Sequence, residues 1–239
     1  MLAPVWANWP LTGIKALTTT RCGGVSHEPF AGLNLGDHVN DATAAVAENR
    51  RRLQSDLKLP SAPVWLRQTH STTIVDAART TSVVSADGSF SGQRQQVCAV
   101  LTADCLPILL ANPKHGWVAA LHAGWRGLAD GIIEQLAEQV DIGAGTCAWI
   151  GPAISGPNFV VQRDVVDYFV ATDSDYERFF QPFVGGYHGD LIGIARHKLA
   201  TMTIAHYGGE HCTYADAERF YSYRRDGETG RMASLIWME

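Results

Sequence analysis

Residues 97–123 read VCAVLTADCLPILLANPKHGWVAALHA, and the rest of the chain is most easily understood from this stretch. It contains three apolar runs, at 97–102, 106–111 and 117–121, which short polar or turn-forming segments separate. Short apolar runs bounded by turn residues are typical of strands that pack inside a protein. The stretch therefore predicts three consecutive strands.

Further strands and a helix are predicted on both sides of this stretch. Apolar runs at 64–66, 72–75 and 147–150 predict short strands. A helix is predicted at 41–57, with Asp41 as its N-cap. The helix is expected because four side chains share one helical stripe there: Val46, Asn49, Leu53 and Leu57.

Three more helices follow from the same kind of pattern. The first precedes the run at 147–150, where apolar residues recur every four positions: Leu128, Ile132, Leu136 and Val140. Residues 163–171 predict the second, and Asp190 is expected to cap the third. Strands and helices without strict alternation predict an α/β (α+β) domain with mixed sheets flanked by helices, and not a Rossmann sheet. No repeat or linker divides the chain, so we predict a single domain over residues 1–239.

Composition and charge exclude several classes of protein. Of the 239 residues, 46% are hydrophobic and 18% are charged, which excludes a disordered chain. The net charge of −5 and the lack of a basic stripe argue against a nucleic-acid partner. No apolar stretch approaches ~18 residues, so we expect no membrane span. The five cysteines are odd in number, without Cys-x-x-Cys spacing, and no signal peptide is seen, so we expect a cytoplasmic protein.

Three segments lead from an apolar run to a residue that binds metals or acts as a nucleophile. They are Arg67-Gln68-Thr69-His70, Thr102-Ala103-Asp104-Cys105 and Leu121-His122-Ala123-Gly124-Trp125-Arg126-Gly127. Functional groups collect at strand ends because a rigid sheet positions them. One thiolate and two imidazoles suit Zn²⁺, and three protein ligands leave a fourth position open, as in catalytic zinc sites. From the residues alone a second interpretation stays open, in which Cys105 is a small buried hydrophobe and each His is structural.

Further short motifs are spread along the chain, from about residue 15 to its end. They are Thr19-Thr20-Arg21, Gly23-Gly24-Val25-Ser26, Leu33-Asn34-Leu35-Gly36, Asn49-Arg50, Thr102-Ala103-Asp104-Cys105-Leu106-Pro107, His122-Ala123-Gly124-Trp125-Arg126-Gly127, Gly151-Pro152-Ala153-Ile154, Tyr221-Ser222-Tyr223-Arg224-Arg225 and Thr229-Gly230-Arg231. In these motifs the chain resembles the laccase-like family of multicopper polyphenol oxidases. The same family is also described as purine nucleoside phosphorylases and peptidoglycan-editing factors.

The resemblance implies a four-layered α/β fold and a cytoplasmic enzyme with a zinc site. It implies that His70, Cys105 and His122 are the residues that bind the metal and carry the catalysis. The activities it implies are phosphorolysis of adenosine, inosine and methylthioadenosine, and deamination of adenosine. The chain departs from the family's pattern at Ser71, where glycine is usual, and at Val160, where an acidic residue is usual.

Three further residues are candidates for substrate binding: Gln68, Asp104 and Arg126. Arg126 and the N–H groups of its turn would hold phosphate, unless Arg126 forms a structural ion pair. Asp104 would orient His70 or His122, or transfer a proton, unless it only stabilises a turn. The partners we expect are small molecules, a purine nucleoside and phosphate, and we also consider a homodimer.

Other functions compete with nucleoside phosphorolysis. Cys105 and His122 would form a nucleophile and base in a metal-free hydrolase, or zinc-bound water would cleave an amide of a peptidoglycan precursor. A copper polyphenol oxidase needs clustered imidazoles, whereas the nine histidines include no His-x-His pair. Cu²⁺ is nevertheless expected to compete with Zn²⁺ for the same donors. A non-catalytic binding domain, which would purify without metal, is the last alternative. The remaining cysteines are expected to be buried thiols: Cys22, Cys98, Cys147 and Cys212.

Overall fold

The stretch at 97–123 forms three consecutive strands, as predicted, in the computed structural model, which describes residues 2–239. All three strands are buried at every position, so both of their faces need a covering layer. The strands and helices in chain order are β1 (Val5–Trp6), β2 (Ile14–Thr18), α1 (Thr43–Asp56), β3 (Ile74–Asp76), β4 (Gly88–Ser91), β5 (Cys98–Thr102), β6 (Leu106–Asn112), β7 (Trp117–Ala123), α2 (Trp125–Ala129), α3 (Ile132–Leu136), β8 (Cys147–Ile150), β9 (Val160–Val161), α4 (Arg163–Thr172), β10 (Phe180–Phe183), β11 (Gly186–Gly189), α5 (Leu191–Thr201), β12 (Ala205–Gly208), α6 (Tyr223–Asp226) and β13 (Met232–Met238).

The strands form three sheets. β6 and β7 are the centre of a six-stranded sheet with the order β12-β8-β6-β7-β4-β3. In this sheet β3 pairs with β4 and β8 with β12 in parallel, and the other pairs are antiparallel. β5 belongs instead to a four-stranded antiparallel sheet with the order β1-β2-β13-β5. The third sheet is small and antiparallel, with the order β10-β11-β9.

Apolar contacts arrange the two larger sheets and the helices in four layers. Successive strand residues point to opposite faces, so Ile108 and Leu109 of β6 belong to different clusters. Ile108 packs with residues of the helices, among them Phe169 of α4. Leu109 packs against the four-stranded sheet, where Ile236 of β13 lies, and the outer face of that sheet covers Leu53 of α1. The α/β class predicted from the sequence pattern is thereby confirmed, and so are the four layers that the family resemblance implies.

Two helix predictions are wrong in detail. The helix expected over 128–140 is two short helices, α2 and α3. Gly131 between them has φ of 90°, a left-handed conformation that ends a helix. Asp41 does not cap α1, whose N-cap is the next residue. The Asp41 carboxylate instead accepts hydrogen bonds from Ser26 Oγ at 2.6 Å and Asn34 Nδ2 at 2.8 Å, so it fixes the loop before the helix.

The other elements follow the sequence pattern closely, with one exception. α4 and β8 form where they were predicted, and β3 is the predicted run shifted toward the C-terminus. Asp190 caps α5 as expected, since its carboxylate accepts from the N–H of Gly193 at 2.8 Å. Residues 64–66 do not form a strand, because only Val64 pairs there, in a single bridge to Cys98.

The longest helix, α1, has 14 residues and carries three consecutive arginines. In the part of the chain from residue 2 to residue 239, none of the helices is long and apolar enough to cross a bilayer. That residues 1–239 act as one metal-dependent enzyme domain stays a prediction. The fold itself brings the ends of β5, β6 and β7 together, and the candidate site lies there.

Candidate metal centre

His70, Cys105 and His122, called the triad below, form one cluster at the end of the central strands. Cys105 directly precedes β6, and His122 lies near the end of β7. The pairing of Pro107 with His122 in these antiparallel strands brings the two side chains close together. His70 reaches them from the loop before β3. The ligand atoms of the triad all lie within 4.8 Å of one another, and Cys105 Sγ is 3.8 Å from His70 Nε2.

The carboxylate of Asp87 holds both histidines of the triad. Its Oδ1 lies 2.8 Å from Nδ1 of His122, and both side chains are buried. The same carboxylate accepts the backbone N–H groups of Thr69 at 3.0 Å, His70 at 2.9 Å and Ser71 at 2.7 Å. The hydroxyl of Ser71 donates a further hydrogen bond at 2.7 Å. One buried carboxylate therefore orients the His122 ring and shapes the loop that carries His70.

The backbone at the triad adopts conformations that non-glycine residues rarely take. His70 has φ of 62° and Asp104 has φ of 92°, both in the left-handed region. Such residues concentrate at functional sites, where the surrounding structure holds them in place. Gly124, directly before α2, leaves room for the cluster. A Cβ atom there would lie 2.6 Å from His70 Cδ2 and 3.3 Å from Cys105 Sγ.

The charges of these groups depend on one another. Burial raises the pKa of the Asp87 carboxyl, but hydrogen bonds from His122 and Ser71 outweigh it and hold that pKa well below its usual range. Burial also raises the pKa of the Cys105 thiol, and the imidazoles of His122 and His70 reverse this and lower the pKa to about 6. Burial lowers the pKa of His122, but Cys105 and Asp87 outweigh it and raise the pKa to about 9. Each of these groups therefore favours the charged form of its neighbour, and metal binding, which needs a thiolate and neutral imidazoles, would release protons.

The donor atoms and their spacing fit a zinc ion. Zn–N bonds of about 2.0 Å and Zn–S bonds of about 2.3 Å in a tetrahedron place two ligand atoms roughly 3.6 Å apart. The 3.8 Å between Cys105 Sγ and His70 Nε2 agrees with this value. Because Asp87 accepts from Nδ1 of His122, Nε2 of that ring is left for a metal, with the carboxylate partner that metal-binding histidines usually have. Within residues 2–239 such a group of His, Cys or acidic side chains occurs only here.

Two adjoining cavities open on the triad. The first, called the triad cavity, has a volume of about 400 Å³ and contains the triad together with His38, Gln68, Tyr223 and Arg231. The second, called the aromatic cavity, has a volume of about 180 Å³. Its walls include Trp125, Ile154, Phe159, Leu191, Tyr223 and Arg224. Cys105 and Tyr223 line both cavities, so the thiol stands where the two cavities meet.

The three candidate substrate-binding residues have different surroundings. Gln68 lines the triad cavity, but its amide is hydrogen-bonded to the backbone of Leu101. Its Nε2 donates to the carbonyl and its Oε1 accepts from the N–H, both at 2.7 Å. Asp104 lines the aromatic cavity. Its carboxylate accepts from Thr213 Oγ1 at 2.6 Å and from the N–H of Arg224 at 2.7 Å, and no hydrogen bond joins it to a triad histidine in residues 2–239. Arg126 is exposed and stacks on the ring of Trp125 at 4.2 Å, outside the walls of both cavities.

Asp87, Tyr223 and Arg231 are the site residues that sequence reasoning missed. Asp87 occupies the position that we expected Asp104 to take, as the partner of a triad histidine. It stands before Gly88, and an Asp-Gly pair is typical of a turn, so no local signal marks it. Tyr223 and Arg231 lie in motifs that the sequence singles out, and that membership is the signal that would have found them. Neither motif has a chemical pattern that indicates a cavity.

The other four cysteines are all free, and two of them lie where we expected. Cys98 and Cys147 are buried, as predicted. Cys22 and Cys212 are only half-buried, so the prediction is wrong for these two. Cys212 lies in a loop, where its sulfur accepts a hydrogen bond from Ser155 Oγ at 3.0 Å.

Comparison with known proteins finds similarity along nearly the whole chain. A family model described as multi-copper polyphenol oxidoreductase laccase matches residues 15–239. A purine nucleoside phosphorylase of Haemophilus influenzae is 45% identical, over 97% of this chain and 98% of its own length. The purine nucleoside phosphorylase YfiH of Escherichia coli strain K12 is 43% identical over 97% of each chain. A Neisseria meningitidis protein of known crystal structure is 41% identical and superposes with a TM-score of 0.93 over 99% of each chain.

Proposed function

The chain belongs to the family described as multi-copper polyphenol oxidoreductase laccase, as its motifs predict, and from this premise we propose that it is a zinc-dependent purine nucleoside phosphorylase. The relatives named purine nucleoside phosphorylase support the reaction class. The observation that carries the proposal is the triad, whose three ligand atoms lie within 4.8 Å of one another beside two cavities. Three ligands suit a catalytic metal, which keeps one position open.

In this reaction phosphate replaces the base on the ribose. The bond between C1′ of the ribose and the purine nitrogen breaks, and its electron pair leaves with the base. A phosphate oxygen forms the new bond to C1′, and the proton that phosphate gives up ends on the base. The products are the free purine and a sugar 1-phosphate, which is ribose 1-phosphate from adenosine or inosine and its 5-methylthio derivative from methylthioadenosine. The proposed substrates are adenosine, inosine and methylthioadenosine.

Each part of the site has a role in this proposal. His70, Cys105 and His122 hold the metal, which when bound supplies a Lewis acid and an acidified water molecule. Asp87 keeps Nδ1 of His122 protonated, so that Nε2 is free to be a ligand. The aromatic cavity takes the purine, since Trp125 and other aromatic walls offer faces for a flat ring. The triad cavity takes the polar ribose and the phosphate.

We also propose that the same site deaminates adenosine. In that reaction water replaces the amino group on the purine carbon and ammonia leaves, so no phosphate is consumed. The feature that favours it is the set of three ligands, which would leave a bound zinc ion one position for water, beside the largely apolar aromatic cavity. Inosine formed in this way would be a substrate for phosphorolysis. We propose that both reactions take place in the cytoplasm, a location with which five free thiols are compatible.

The proposal is tested by metal analysis of the purified protein, followed by incubation with adenosine or inosine, with and without phosphate. We expect bound zinc near one ion per chain and phosphate-dependent release of free base and ribose 1-phosphate. Cys105→Ala and His122→Ala should each lose the metal and reduce turnover to background. Cys147→Ala is the matched control, because Cys147 is a free, buried thiol that pairs with Ala111, at the opposite end of β6 from the triad.

The same experiment, repeated after treatment with a metal chelator, separates the competing functions. A metal-free thiol hydrolase would keep its activity after chelation, whereas the proposed enzyme would lose it. An amidase acting on a peptidoglycan precursor would leave nucleosides intact whether or not phosphate is present. Unchanged nucleoside turnover in Cys105→Ala or His122→Ala would remove the triad from the reaction.

A further inference from the structure

Two motifs that the chemistry above leaves unused lie against each other beside the triad cavity. They are Leu33-Asn34-Leu35-Gly36 and Thr229-Gly230-Arg231. Oδ1 of Asn34 accepts the N–H groups of Gly36 and Arg231, both at 2.9 Å. The N–H of Leu35 donates to the carbonyl of Arg231 at 3.1 Å. The first motif, called the 33–36 loop below, therefore fixes the backbone of Arg231.

The side chain of Arg231 is held as firmly as its backbone. Its Nη1 donates to the carbonyl oxygens of Thr229 at 2.8 Å and Gly230 at 3.0 Å. Its stem passes so close to Gly36 that a Cβ atom there would lie 2.8 Å from Arg231 Cγ. These contacts fix one edge of the guanidinium. Its Nε and Nη2 have no hydrogen-bond partner among residues 2–239, so the other edge is free to bind a ligand.

The guanidinium of Arg231 has no counterion in contact with it in residues 2–239, although the charges of Cys105 and Asp104 act to raise its pKa. Among the other partly buried arginines, Arg50 lies 3.4 Å from Asp37 and Arg225 lies 2.7 Å from Asp226, whereas Arg21 donates only to backbone carbonyls. Arg231 forms no ion pair with any carboxylate in residues 2–239, and no acidic residue lines the triad cavity. Burial lowers the pKa of Arg231, which reflects the cost of keeping its charge away from water. An anion in the cavity would offset that cost.

We propose that Arg231 binds the phosphate co-substrate in the triad cavity, and that the 33–36 loop positions it; this inference rests on the proposed phosphorolysis. A guanidinium offers two parallel N–H donors that match two oxygens of a phosphate. The neutral nucleoside has no group that calls for such a charge. We therefore assign phosphate binding to Arg231, which lines the triad cavity, and not to Arg126, which does not line it.

The test measures KM for phosphate and KM for inosine separately in the zinc-loaded enzyme. Arg231→Gln should raise KM for phosphate roughly 10- to 100-fold, as expected for loss of a charged hydrogen-bond donor, and leave KM for inosine within about twofold. Arg231→Lys should recover part of the loss, because lysine restores the positive charge but not the two parallel N–H donors of a guanidinium. Gly36→Ala should raise KM for phosphate in the same direction, since the added methyl displaces the Arg231 stem. Arg51→Gln is the control, because Arg51 is an exposed residue of α1 that pairs with Glu48 at 2.7 Å.

Calorimetric titration with inorganic phosphate alone distinguishes failure of this inference from failure of the proposed function. If the protein binds phosphate through Arg231 but splits no nucleoside, the subsite stands and the phosphorolysis is wrong. If the wild-type protein performs phosphorolysis and Arg231→Gln keeps its KM for phosphate, the inference is overturned. It is equally overturned if Arg231→Gln raises KM for inosine instead, or if Arg126→Gln produces the loss expected of Arg231→Gln.

Discussion

Oδ1 of Asp87 lies 2.8 Å from Nδ1 of His122, although 35 positions separate the two residues in the chain. The pair spans neighbouring strands, since Asp87 directly precedes β4 and His122 is the penultimate residue of β7. The N–H of His122 donates to the carbonyl of Asp87 at 2.7 Å. Backbone pairing thus sets the distance between the two side chains. The same carboxylate then organises the loop of His70. The triad is consequently organised by a carboxylate that is not one of its three members.

Asp87→Asn should weaken zinc binding roughly 10- to 100-fold, as is typical when the carboxylate partner of a metal-binding histidine is lost. The amide keeps the size of the side chain but removes the charge that fixes the His122 ring. The measurement is competition for zinc against a chromophoric chelator, with circular dichroism to show that the variant is folded. Ser71→Ala, which removes one donor to Asp87 and leaves His122 in place, should have the smaller effect. Equal zinc affinity in Asp87→Asn and wild type would contradict the role given to Asp87.

Gly124→Ala should abolish metal binding while the fold survives. The backbone at Gly124 has φ of −59°, which alanine adopts without strain. The added methyl would nevertheless lie 2.6 Å from His70 Cδ2, and so would push that ring out of the cluster. Metal content and thermal unfolding of the variant provide the measurement. Gly92→Ala is the control, because its Cβ would meet only the carbonyl of Gly116 at an ordinary 3.6 Å. A fully metal-loaded Gly124→Ala protein would mean that the triad is not the binding site.

Asn49→Ala should lower the free energy of unfolding by about 3 kcal/mol, because it leaves several buried backbone groups without a partner. Asn49 is fully buried in α1. Its Nδ2 donates to the carbonyl of Asn34 at 2.9 Å, and its Oδ1 accepts the N–H of Val25 at 2.9 Å. Urea denaturation of the variant checks the value. Gln54→Ala, at an exposed position of the same helix, should change stability by less than about 0.5 kcal/mol. Similar losses in the two variants would show that helix propensity, and not the buried amide, accounts for the effect.

The parts of this protein that could be predicted from sequence are those with a local signal. Cys105 and His122 each adjoin an apolar run, and because those runs form neighbouring strands, their side chains meet. Asp87 could not be predicted, since its partner is fixed by strand pairing across a long separation in the chain. The break at Gly131 was missed for a related reason, because a four-residue apolar spacing continues across it. The position of Arg231 could not be predicted either, because Asn34, which accepts its backbone N–H, is 197 positions away in the chain.

The description of the family as multi-copper oxidases leads to a prediction about copper stoichiometry. Among residues 2–239 the structure brings three His, Cys or acidic ligands to metal-binding distance in one place, the triad. Cu²⁺ binds such donors more tightly than Zn²⁺ does, so copper should displace zinc there. We therefore expect titration of the zinc-loaded protein with Cu²⁺ under argon to release one zinc ion and retain one copper ion per chain. The measurement is metal analysis after passage over a column that removes weakly bound ions.

Cys105→Ala should retain neither metal, and Cys147→Ala should match the wild type. Two observations together would contradict this expectation: the wild-type protein retains two or more copper ions, and the Cys105→Ala variant still oxidises phenols with oxygen. The triad would then not be the only metal site, and the description of the family as oxidases would apply to this chain.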